Sequence, residues 1–296
     1  MKRTELLQHA VTVGVLAGLP LKGNAAVKNA EVPISPLPPP DGGVPVAFLL
    51  SDHAVMIDFA GPWEVFQDAD VVGRTHPAFN LYTVSESAKP LAISGGAKIV
   101  PQFTLTDAPV PKVVVVPAQS GPTPAVERWL VDTARHADLI MSVCTGALVL
   151  AQCGLLDGHT VTTHHSAFTT LAMGYPNVTV ARGARFVDEG QIATSAGLSA
   201  GIDLALHVVA RYYGKASARS TAYDMEYQGA SWLDADNAVY RRPPVARANA
   251  AICPVCWMEV DPKTAPMLAY RGTKYYFCQP AHERVFASTP QRFLSA

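Results

Sequence analysis

Cys144 stands at the junction of two apolar runs that differ in spacing. Residues 139–143 form a mainly apolar stretch of strand length, and residues 147–151 continue it with helical spacing. The pattern predicts a strand, a tight turn and a helix, with the thiol held at the corner as in a nucleophile elbow. The N–H groups at the start of such a helix would favour a thiolate and lower the pKa of the cysteine. The alternative is a buried structural cysteine, which is a common use of this residue.

A second group of candidate ligands lies near the C-terminus. Cys253 and Cys256 form a C-x2-C pair, and Cys278 and His282 form a C-x3-H pair. Two close pairs of this kind fit a tetrahedral zinc site, and thiolates also suit Cu(I). A domain as short as this tail has a marginal core, so a metal would help it to fold. The alternative is a disulfide after export, between Cys253 and Cys256 or between Cys256 and Cys278.

Composition narrows the class of protein and its location. The chain has 296 residues, 49% hydrophobic and 16% charged, with a formal net charge of −1, so no basic field suggests nucleic acid. Lys2 and Arg3 precede a short apolar run at residues 11–21 and a small-x-small site at residues 23–25. Residues 1–25 are therefore predicted to be a signal peptide for export to the bacterial periplasm, with no stable membrane insertion after cleavage. An uncleaved membrane anchor or a cytosolic leader is the alternative.

The rest of the chain divides into four predicted segments. Residues 26–43 are rich in proline and form a stiff linker. Residues 44–227 alternate strand and helix patterns, which predicts an α/β fold with a parallel sheet and helices on both faces. Residues 228–250 break that pattern and form a second linker, and residues 251–296 form the small metal-binding domain. In such sheets, sites form at the carboxyl ends of strands, where Cys144 falls.

Four motifs occur in order along residues 44–227. They are D-x-x-G-P-x-E-V-F from Asp58, C-T-G-A from Cys144, T-T-H ending at His164, and T-S-A-G-x-x-x-G-I-D-x-x-L-H from Thr194. Together they resemble the ThiJ/PfpI superfamily, a branch of the class I glutamine-amidotransferase-like fold. The most similar branch contains isonitrile hydratase and the amidotransferase-like domains of AraC-type regulators. The resemblance implies a flavodoxin-like fold, a homodimer, and cysteine chemistry that requires no cofactor.

The resemblance also assigns roles to individual residues. Cys144 aligns with the nucleophile, and Asp58 aligns with the acidic residue that lies against its sulfur and handles protons. Asp58 could instead cap a helix whose first position is Pro62. The N–H of Thr145 would be one donor of an oxyanion hole.

The loop that should supply the second donor departs from the family pattern. Residues 117–121 read P-A-Q-S-G where the family usually has paired glycines, and Gln119 aligns with the donor position. The added side chains could narrow the pocket, to which Gly121 is also assigned, so substrate identity cannot be inherited. His164 matches a histidine near the pocket, and His165 replaces the aromatic residue that commonly follows it. A structural role for His164 is the alternative.

The tail resembles the YHS domain, a small treble-clef-like metal-binding module. The resemblance implies Cys253, Cys256, Cys278 and His282 as ligands of zinc or copper. Two positions depart from the family: Trp257 replaces the usual glycine, and His282 replaces the usual fourth cysteine.

The signal-peptide pattern and these two resemblances together imply an exported, cysteine-dependent enzyme with an appended metal-binding module. The expected chemistry is hydration or lysis of a small electrophilic substrate, as in an isonitrile hydratase, and glyoxalase-like or deglycase-like action on aldehydes is the close alternative. A hypothesis of another class is a non-catalytic redox or metal sensor that uses Cys144 and the tail. No helix-turn-helix segment follows residue 227, which argues against binding to nucleic acid.

Overall fold

A computed structural model describes residues 34–233 and 244–294 of the chain. The predicted signal peptide, residues 1–25, and the first part of the predicted linker lie outside the described residues. Within the described ranges, no helix is both long enough and apolar enough to cross a membrane.

The described chain alternates strands and helices up to residue 224 and then forms small hairpins. The strands are β1 (Val44–Leu49), β2 (Phe79–Ser85), β3 (Leu91–Ala92), β4 (Lys98–Ile99), β5 (Phe103–Thr104), β6 (Val113–Val116), β7 (Leu139–Ser142), β8 (Thr160–Val161), β9 (Thr179–Val180), β10 (Phe186–Asp188), β11 (Ile192–Ser195), β12 (Ala251–Ile252), β13 (Glu259–Val260), β14 (Met267–Tyr270) and β15 (Thr273–Tyr276). The helices are α1 (Met56–Gln67), α2 (Pro124–Ala134), α3 (Gly146–Gln152), α4 (Phe168–Gly174), α5 (Ala200–Asp224), α6 (Pro280–Ser288) and α7 (Gln291–Leu294).

A central sheet organises the part of the chain from β1 to α5, here called the α/β body. In the described residues this sheet has seven strands in the order β10, β11, β7, β6, β1, β2, β5. Neighbouring strands are parallel except for β10 and β11 at one edge. The predicted α/β fold with a mostly parallel sheet is confirmed. Because β1 has β2 on one side and β6 on the other, the strand order reverses there, and ligands of such sheets bind beyond the strand ends near the reversal.

The central strands are buried on both faces. In β6, Val113 and Val115 belong to one hydrophobic cluster, and Val114 and Val116 belong to another. The first cluster includes side chains of α1 and α5, and the second includes side chains of α2 and α3. Successive side chains of a strand point to opposite faces, so a strand covered on both faces needs an unbroken apolar run.

The first helix begins earlier than the sequence predicts. It starts at Met56 with Val55 at the N-cap, so Pro62 lies inside the helix, and the predicted start at Pro62 is wrong. Proline has no N–H, and the carbonyl four residues earlier, that of Asp58, therefore lacks its usual helical donor. Burial of Phe59 in the core stabilises the first turns despite this missing bond.

The described part of the predicted linker, residues 34–43, lies against α5. The N–H of Leu37 donates to the carbonyl of Arg211 at 2.8 Å, and Nε of Arg211 donates to the carbonyl of Ser35 at 3.1 Å. The buried guanidinium of Arg211 also contacts the carboxylate of Asp188 at 3.1 Å. This segment is therefore held along the helix by hydrogen bonds at two points.

Residues 244–294, here called the tail, pack beside α4. Strand β12 pairs with β13 and strand β14 with β15, both antiparallel. Phe277, Phe286 and Phe293 are buried in one cluster that also contains Ala172 of α4. The tail therefore shares its core with the α/β body.

The turn between β7 and α3 depends on a close approach to β6. Helix α3 begins at Gly146, with Thr145 at the N-cap. A Cβ atom at Gly146 would overlap the carbonyl oxygens of Val116 and Pro117, at the end of β6. Glycine therefore allows α3 to start this close to the neighbouring strand.

We expect Gly146→Ala to destabilise the protein by about 1–3 kcal/mol or more, because the overlapped atoms are backbone and cannot rotate away. Gly174→Ala is the matched control, since a Cβ there meets no atom within 4 Å, and its effect should stay within about 0.5 kcal/mol. Urea denaturation of both variants measures the two free energies of unfolding. Equal stability of the two variants would contradict the steric requirement at Gly146.

Candidate functional site

Cys144 occupies the turn between β7 and α3, so the predicted succession of strand, turn and helix is confirmed. Its φ is +58°, a conformation that costs free energy for any residue with a side chain. The N–H of Cys144 donates to the carbonyl of Ala196 at 3.1 Å, and its carbonyl accepts from the hydroxyl of Thr163 at 2.8 Å. Contacts on both sides of the residue therefore maintain the strained conformation.

Asp58 lies in the first turn of α1 with its side chain fully buried. Its Oδ2 accepts from the N–H of Ala118 at 3.1 Å, and its carboxyl lies beside the thiol of Cys144. Its Oδ1 has no hydrogen-bond partner among the described atoms. The structure gives α1 no side-chain cap, so the alternative role of Asp58 as a helix cap is not observed.

Burial sets the protonation of this pair. It raises the pKa of Asp58 from 3.8 to about 6. Burial, and then the negative charge of Asp58, raise the pKa of Cys144 from 9.0 to about 11. The lowered cysteine pKa that the helix N-terminus predicts is therefore wrong, because desolvation outweighs the nearby N–H donors. At neutral pH the pair consists of a carboxylate and a thiol.

Main-chain donors surround the sulfur. The N–H groups of Thr145 and Leu198 lie close enough to Cys144, and that of Leu198 close enough to Asp58, to stabilise negative charge there. Leu198 has a φ of +53°, a left-handed conformation that costs free energy for a residue with a side chain. The sequence does not reveal the roles of the Leu198 and Ala118 N–H groups, because a main-chain donor leaves no mark on residue type. The one signal that residue types offered was the position of Leu198 directly after the T-S-A-G motif.

A buried ion pair supports the Leu198 turn. Arg185 donates from Nε to Asp203 at 2.7 Å and from Nη2 to the hydroxyl of Ser199 at 3.0 Å. The carbonyl of Arg185 accepts from the N–H of Ala196 at 3.0 Å. The segment that faces Cys144 is therefore held at both ends by the same residue.

His164 packs against the same segment. A Cβ at Gly197 would overlap the edge of the His164 ring, so glycine makes room for the imidazole. The N–H of Ser166 donates to Nδ1 of His164 at 3.3 Å, and the Ser166 hydroxyl lies 2.7 Å from the same nitrogen. Burial, followed by the nearby His165, lowers the pKa of His164. A neutral ring whose Nδ1 accepts must carry its proton on Nε2.

Gln119 and Gly121 line a cavity that does not include Cys144. They line a space of about 230 Å³ beyond the ends of β1, β2 and β6, together with Ser51, Glu86 and Thr123. The side-chain oxygen of Gln119 accepts from the N–H of Ser51 at 2.6 Å. Among the described residues that line this cavity, neither the thiol nor the buried aspartate appears. The structure thus brings Asp58, Thr145 and His164 to the cysteine or its adjacent turn, and directs the Gln119 side chain elsewhere.

The four candidate ligands of the tail form one cluster. Their ligand atoms all lie within 4.8 Å of one another. The Cys256 and Cys278 sulfurs are 3.5 Å apart, and Nδ1 of His282 lies 3.7 Å from the Cys253 sulfur and 3.1 Å from the Cys278 sulfur. Tetrahedral zinc would separate two sulfurs by about 3.8 Å and a sulfur from a nitrogen by about 3.6 Å. The donor set could therefore hold a metal ion, and the described cysteines are free thiols rather than disulfides.

A model of the DJ-1/PfpI family matches residues 44–211, more than half of the chain. The chain belongs to the DJ-1/PfpI family. This confirms the resemblance to the ThiJ/PfpI superfamily, whose motifs hold Asp58, Cys144 and His164. The family match ends inside α5 and does not reach the tail.

The DJ-1/PfpI relatives of this chain include an enzyme and a transcriptional regulator. An isonitrile hydratase from Pseudomonas putida is 30% identical over 237 residues, which cover 76% of this chain and 98% of that protein. The HTH-type transcriptional regulator CdhR from Pseudomonas aeruginosa is 31% identical over 149 residues, which cover 49% of this chain and 44% of the regulator. The chain thus spans less than half the length of that regulator and nearly all of the hydratase.

Solved structures of the family have the same fold. A ThiJ/PfpI family protein from Pseudomonas syringae superposes with a TM-score of 0.57 at 26% identity, covering 72% of this chain and 83% of that one. DJ-1beta from Drosophila melanogaster superposes with a TM-score of 0.54 at 20% identity, covering 62% and 98%. At that identity the second likeness concerns the fold alone.

We expect Asp58→Asn to stabilise the protein at neutral pH. The pKa of Asp58 is about 6 in the folded chain against an ordinary 3.8. The free energy of unfolding therefore falls as the pH rises between these two values, and this cost in stability is complete above the higher one. The variant lacks this cost and should be more stable by about 1–3 kcal/mol at pH 7.5. At pH 3.5 the difference should largely vanish. Urea denaturation at the two pH values measures both quantities.

Asp107→Asn serves as the opposite control. Hydrogen bonds from Thr104 lower the pKa of Asp107, so losing that carboxylate should reduce stability above pH 4. If Asp58→Asn is no more stable than the unchanged protein at pH 7.5, the buried Asp58 carboxylate does not lower the free energy of unfolding.

Proposed function

We propose that the α/β body is a cysteine-dependent hydratase that acts on a small electrophilic substrate of the isonitrile type. The observation that carries the proposal is the buried contact between the Asp58 carboxylate and the Cys144 thiol. This pair holds a nucleophile and its base in one desolvated place, which is the arrangement that nucleophilic catalysis needs. The similarity to an isonitrile hydratase along almost its whole length supports the choice of substrate class.

The pair accounts for each proton of the reaction. As the Cys144 sulfur attacks the terminal carbon of an isonitrile, its proton passes to the Asp58 carboxylate and then to that carbon, which leaves a thioimidate. Asp58, again a carboxylate, takes a proton from water as the water adds to the same carbon. Asp58 passes that proton to the substrate nitrogen, and the added hydroxyl gives its own proton to Asp58 as the carbon–sulfur bond breaks. Asp58 returns this proton to the sulfur, and an N-substituted formamide leaves with Cys144 and Asp58 in their original states. The N–H groups of Thr145 and Leu198 donate to the negative charge that develops during addition.

Two other functions compete with this proposal. Glyoxalase-like or deglycase-like action would use the same nucleophile on a reactive aldehyde. A redox sensor would need an exposed thiolate, since oxidation to sulfenic acid proceeds through the thiolate. Cys144 is only 6% exposed and its pKa is raised to about 11. These two observations favour catalysis, in which a bound substrate and a local base activate the thiol, over sensing.

We further propose that the tail is a YHS-like module that holds zinc or copper through Cys253, Cys256, Cys278 and His282. The distances within the cluster and the soft donor set support this assignment. An ion bound there would cross-link the short tail and add to its folding free energy. The cysteine chemistry at the α/β body needs no contribution from it.

Export and self-association remain proposals from the sequence. The basic start, short apolar run and small-x-small site of residues 1–25 favour export to a bacterial periplasm. A homodimer follows only from the family resemblance, and a small-molecule electrophile, not nucleic acid, is the proposed partner.

We expect the protein to convert a small alkyl isonitrile to the corresponding formamide, measured by NMR. Cys144→Ala should abolish turnover, because it removes the atom that attacks. Asp58→Asn should lower kcat by about 100-fold to 10,000-fold, the range for a lost general base. For the unchanged protein, kcat/KM should rise with pH through an apparent pKa of about 6, as Asp58 ionises.

Cys153→Ala is the matched control for the nucleophile. Cys153 is also buried, and burial raises its pKa to about 11, so its loss should leave turnover intact. Turnover of methylglyoxal but not of isonitriles would replace the hydratase by the aldehyde alternative. A folded and reduced protein that turns over neither substrate would contradict the enzymatic proposal.

We expect the full chain, purified under reducing conditions without chelator, to carry about one equivalent of zinc or copper. Cys253→Ser should lose the metal and lower the thermal midpoint of the tail, because it removes a buried ligand and the cross-link. Cys153→Ser should keep the metal. Elemental analysis by inductively coupled plasma mass spectrometry measures the content, and an empty unchanged protein would refute the metal site.

A further inference from the structure

Arg182 of the α/β body reaches into the loop that joins two candidate ligands of the tail. Its Nη1 donates to the carbonyl of Pro254 at 3.1 Å, and its Nη2 donates to the carbonyl of Val255 at 2.5 Å. Those two residues are the whole spacer between Cys253 and Cys256. The Thr169 hydroxyl of α4 also donates to the Val255 carbonyl, at 3.3 Å. Side chains from outside the tail therefore hold the main chain that positions two thiols.

Two aromatic rings of the tail enclose the same guanidinium. Its central carbon lies 5.3 Å from the centroid of the Trp257 ring and 5.4 Å from that of Phe293. Trp257 holds a φ of +63°, and its ring also packs edge-on against Phe168 of α4. The Nε–H of Arg182 is buried and has no hydrogen-bond partner among the described atoms. The positive group is thus largely removed from water beside the ligand cluster.

The net charge of the cluster with a metal ion bound gives a reason for the positive Arg182 side chain beside it. Cysteine ligands bind as thiolates and a histidine ligand binds as the neutral imidazole. A divalent ion held by three thiolates and one imidazole therefore leaves a net charge of about −1. Because the Arg182 guanidinium is hydrogen-bonded to both carbonyls between Cys253 and Cys256, it lies beside the loop that carries two of these thiolates. Since an unbalanced buried charge is costly, one positive charge held at this loop stabilises the loaded site.

We propose that Arg182 completes the metal site of the tail from outside it, balancing its charge and positioning the C-x2-C loop. This inference rests on the proposed metal binding by the tail. Arg182 reaches the loop only when the tail is docked on the α/β body. Ion binding and docking are therefore coupled, and each strengthens the other by the same factor. The tail differs in this respect from a metal module whose site is built from its own residues alone.

Arg292 provides a matched control for docking. It belongs to the tail and donates from Nη2 to the carbonyls of Val178 at 2.7 Å and Tyr175 at 3.5 Å in the α/β body. It is therefore the same residue type with the same kind of acceptor across the same interface. Its acceptors, unlike those of Arg182, are not attached to candidate ligands. Loss of Arg292 weakens docking without releasing the C-x2-C loop.

The test is the Zn²⁺ affinity of the full, reduced chain, measured by competition with a chromophoric chelator. Arg182→Met should weaken the affinity by about 10-fold to 100-fold, the range for groups that orient metal ligands from outside. Arg182→Lys, which keeps the charge but not the paired donors, should fall between. Arg292→Met should stay much closer to the unchanged protein. Equal losses for Arg182→Met and Arg292→Met, or no loss for Arg182→Met, would overturn the inference.

A second measurement does not depend on the variants folding. Hydrogen exchange of α4 in the unchanged chain should slow when Zn²⁺ is added, because the ion strengthens docking against this helix. If the chain binds Zn²⁺ but the hydrogen-exchange rate of α4 does not change, the coupling is overturned and the proposed metal site is not. An unchanged chain that binds no Zn²⁺ would overturn the metal site and this inference together.

Discussion

The structure depends on the close contact between the start of α3 and the end of β6. Because Gly146 has no side chain, the helix can begin against the carbonyls of Val116 and Pro117. The chain must then turn sharply at Cys144, which takes a left-handed φ of +58°. Strain of this kind persists only where surrounding contacts over-determine it. The bonds of Cys144 to Ala196 and to the Thr163 hydroxyl supply those contacts, so the packed core sets the position of the sulfur.

Desolvation then decides what the sulfur can do. A helix N-terminus alone would favour a thiolate, but Cys144 shares a buried space with Asp58, and the two together hold one proton at neutral pH. Two adjacent negative charges in such a place would repel each other strongly. The resting sulfur therefore keeps its proton, and in the proposed reaction it becomes a nucleophile only as that proton moves to the carboxylate. This restraint suits an enzyme better than a sensor.

The sequence predicted those features that residue types reveal. The valine run of β6 and the apolar runs around Cys144 predicted a parallel sheet and an elbow, since burial on both faces requires them. The predicted start of α1 at Pro62 was wrong, because core packing maintains the helix on both sides of this proline. The raised cysteine pKa and the N–H of Leu198 were beyond the sequence, since burial and main-chain direction depend on segments that are distant along the chain.

The contact between the tail and α4 gives a physical reason for joining the two modules. Residues just before α4 and within it contact both the Cys144 turn and the C-x2-C loop. The Thr163 hydroxyl donates to the Cys144 carbonyl, and the Thr169 hydroxyl donates to the Val255 carbonyl at 3.3 Å. The tail is too short to bury a full core of its own, and Ala172 of α4 completes its aromatic cluster. The left-handed φ of Trp257 explains why glycine suits that position, while the tryptophan ring covers Arg182 at the interface. A tail separated from the α/β body would therefore lose part of its core and the hydrogen bonds that Arg182 and Thr169 donate to the C-x2-C loop.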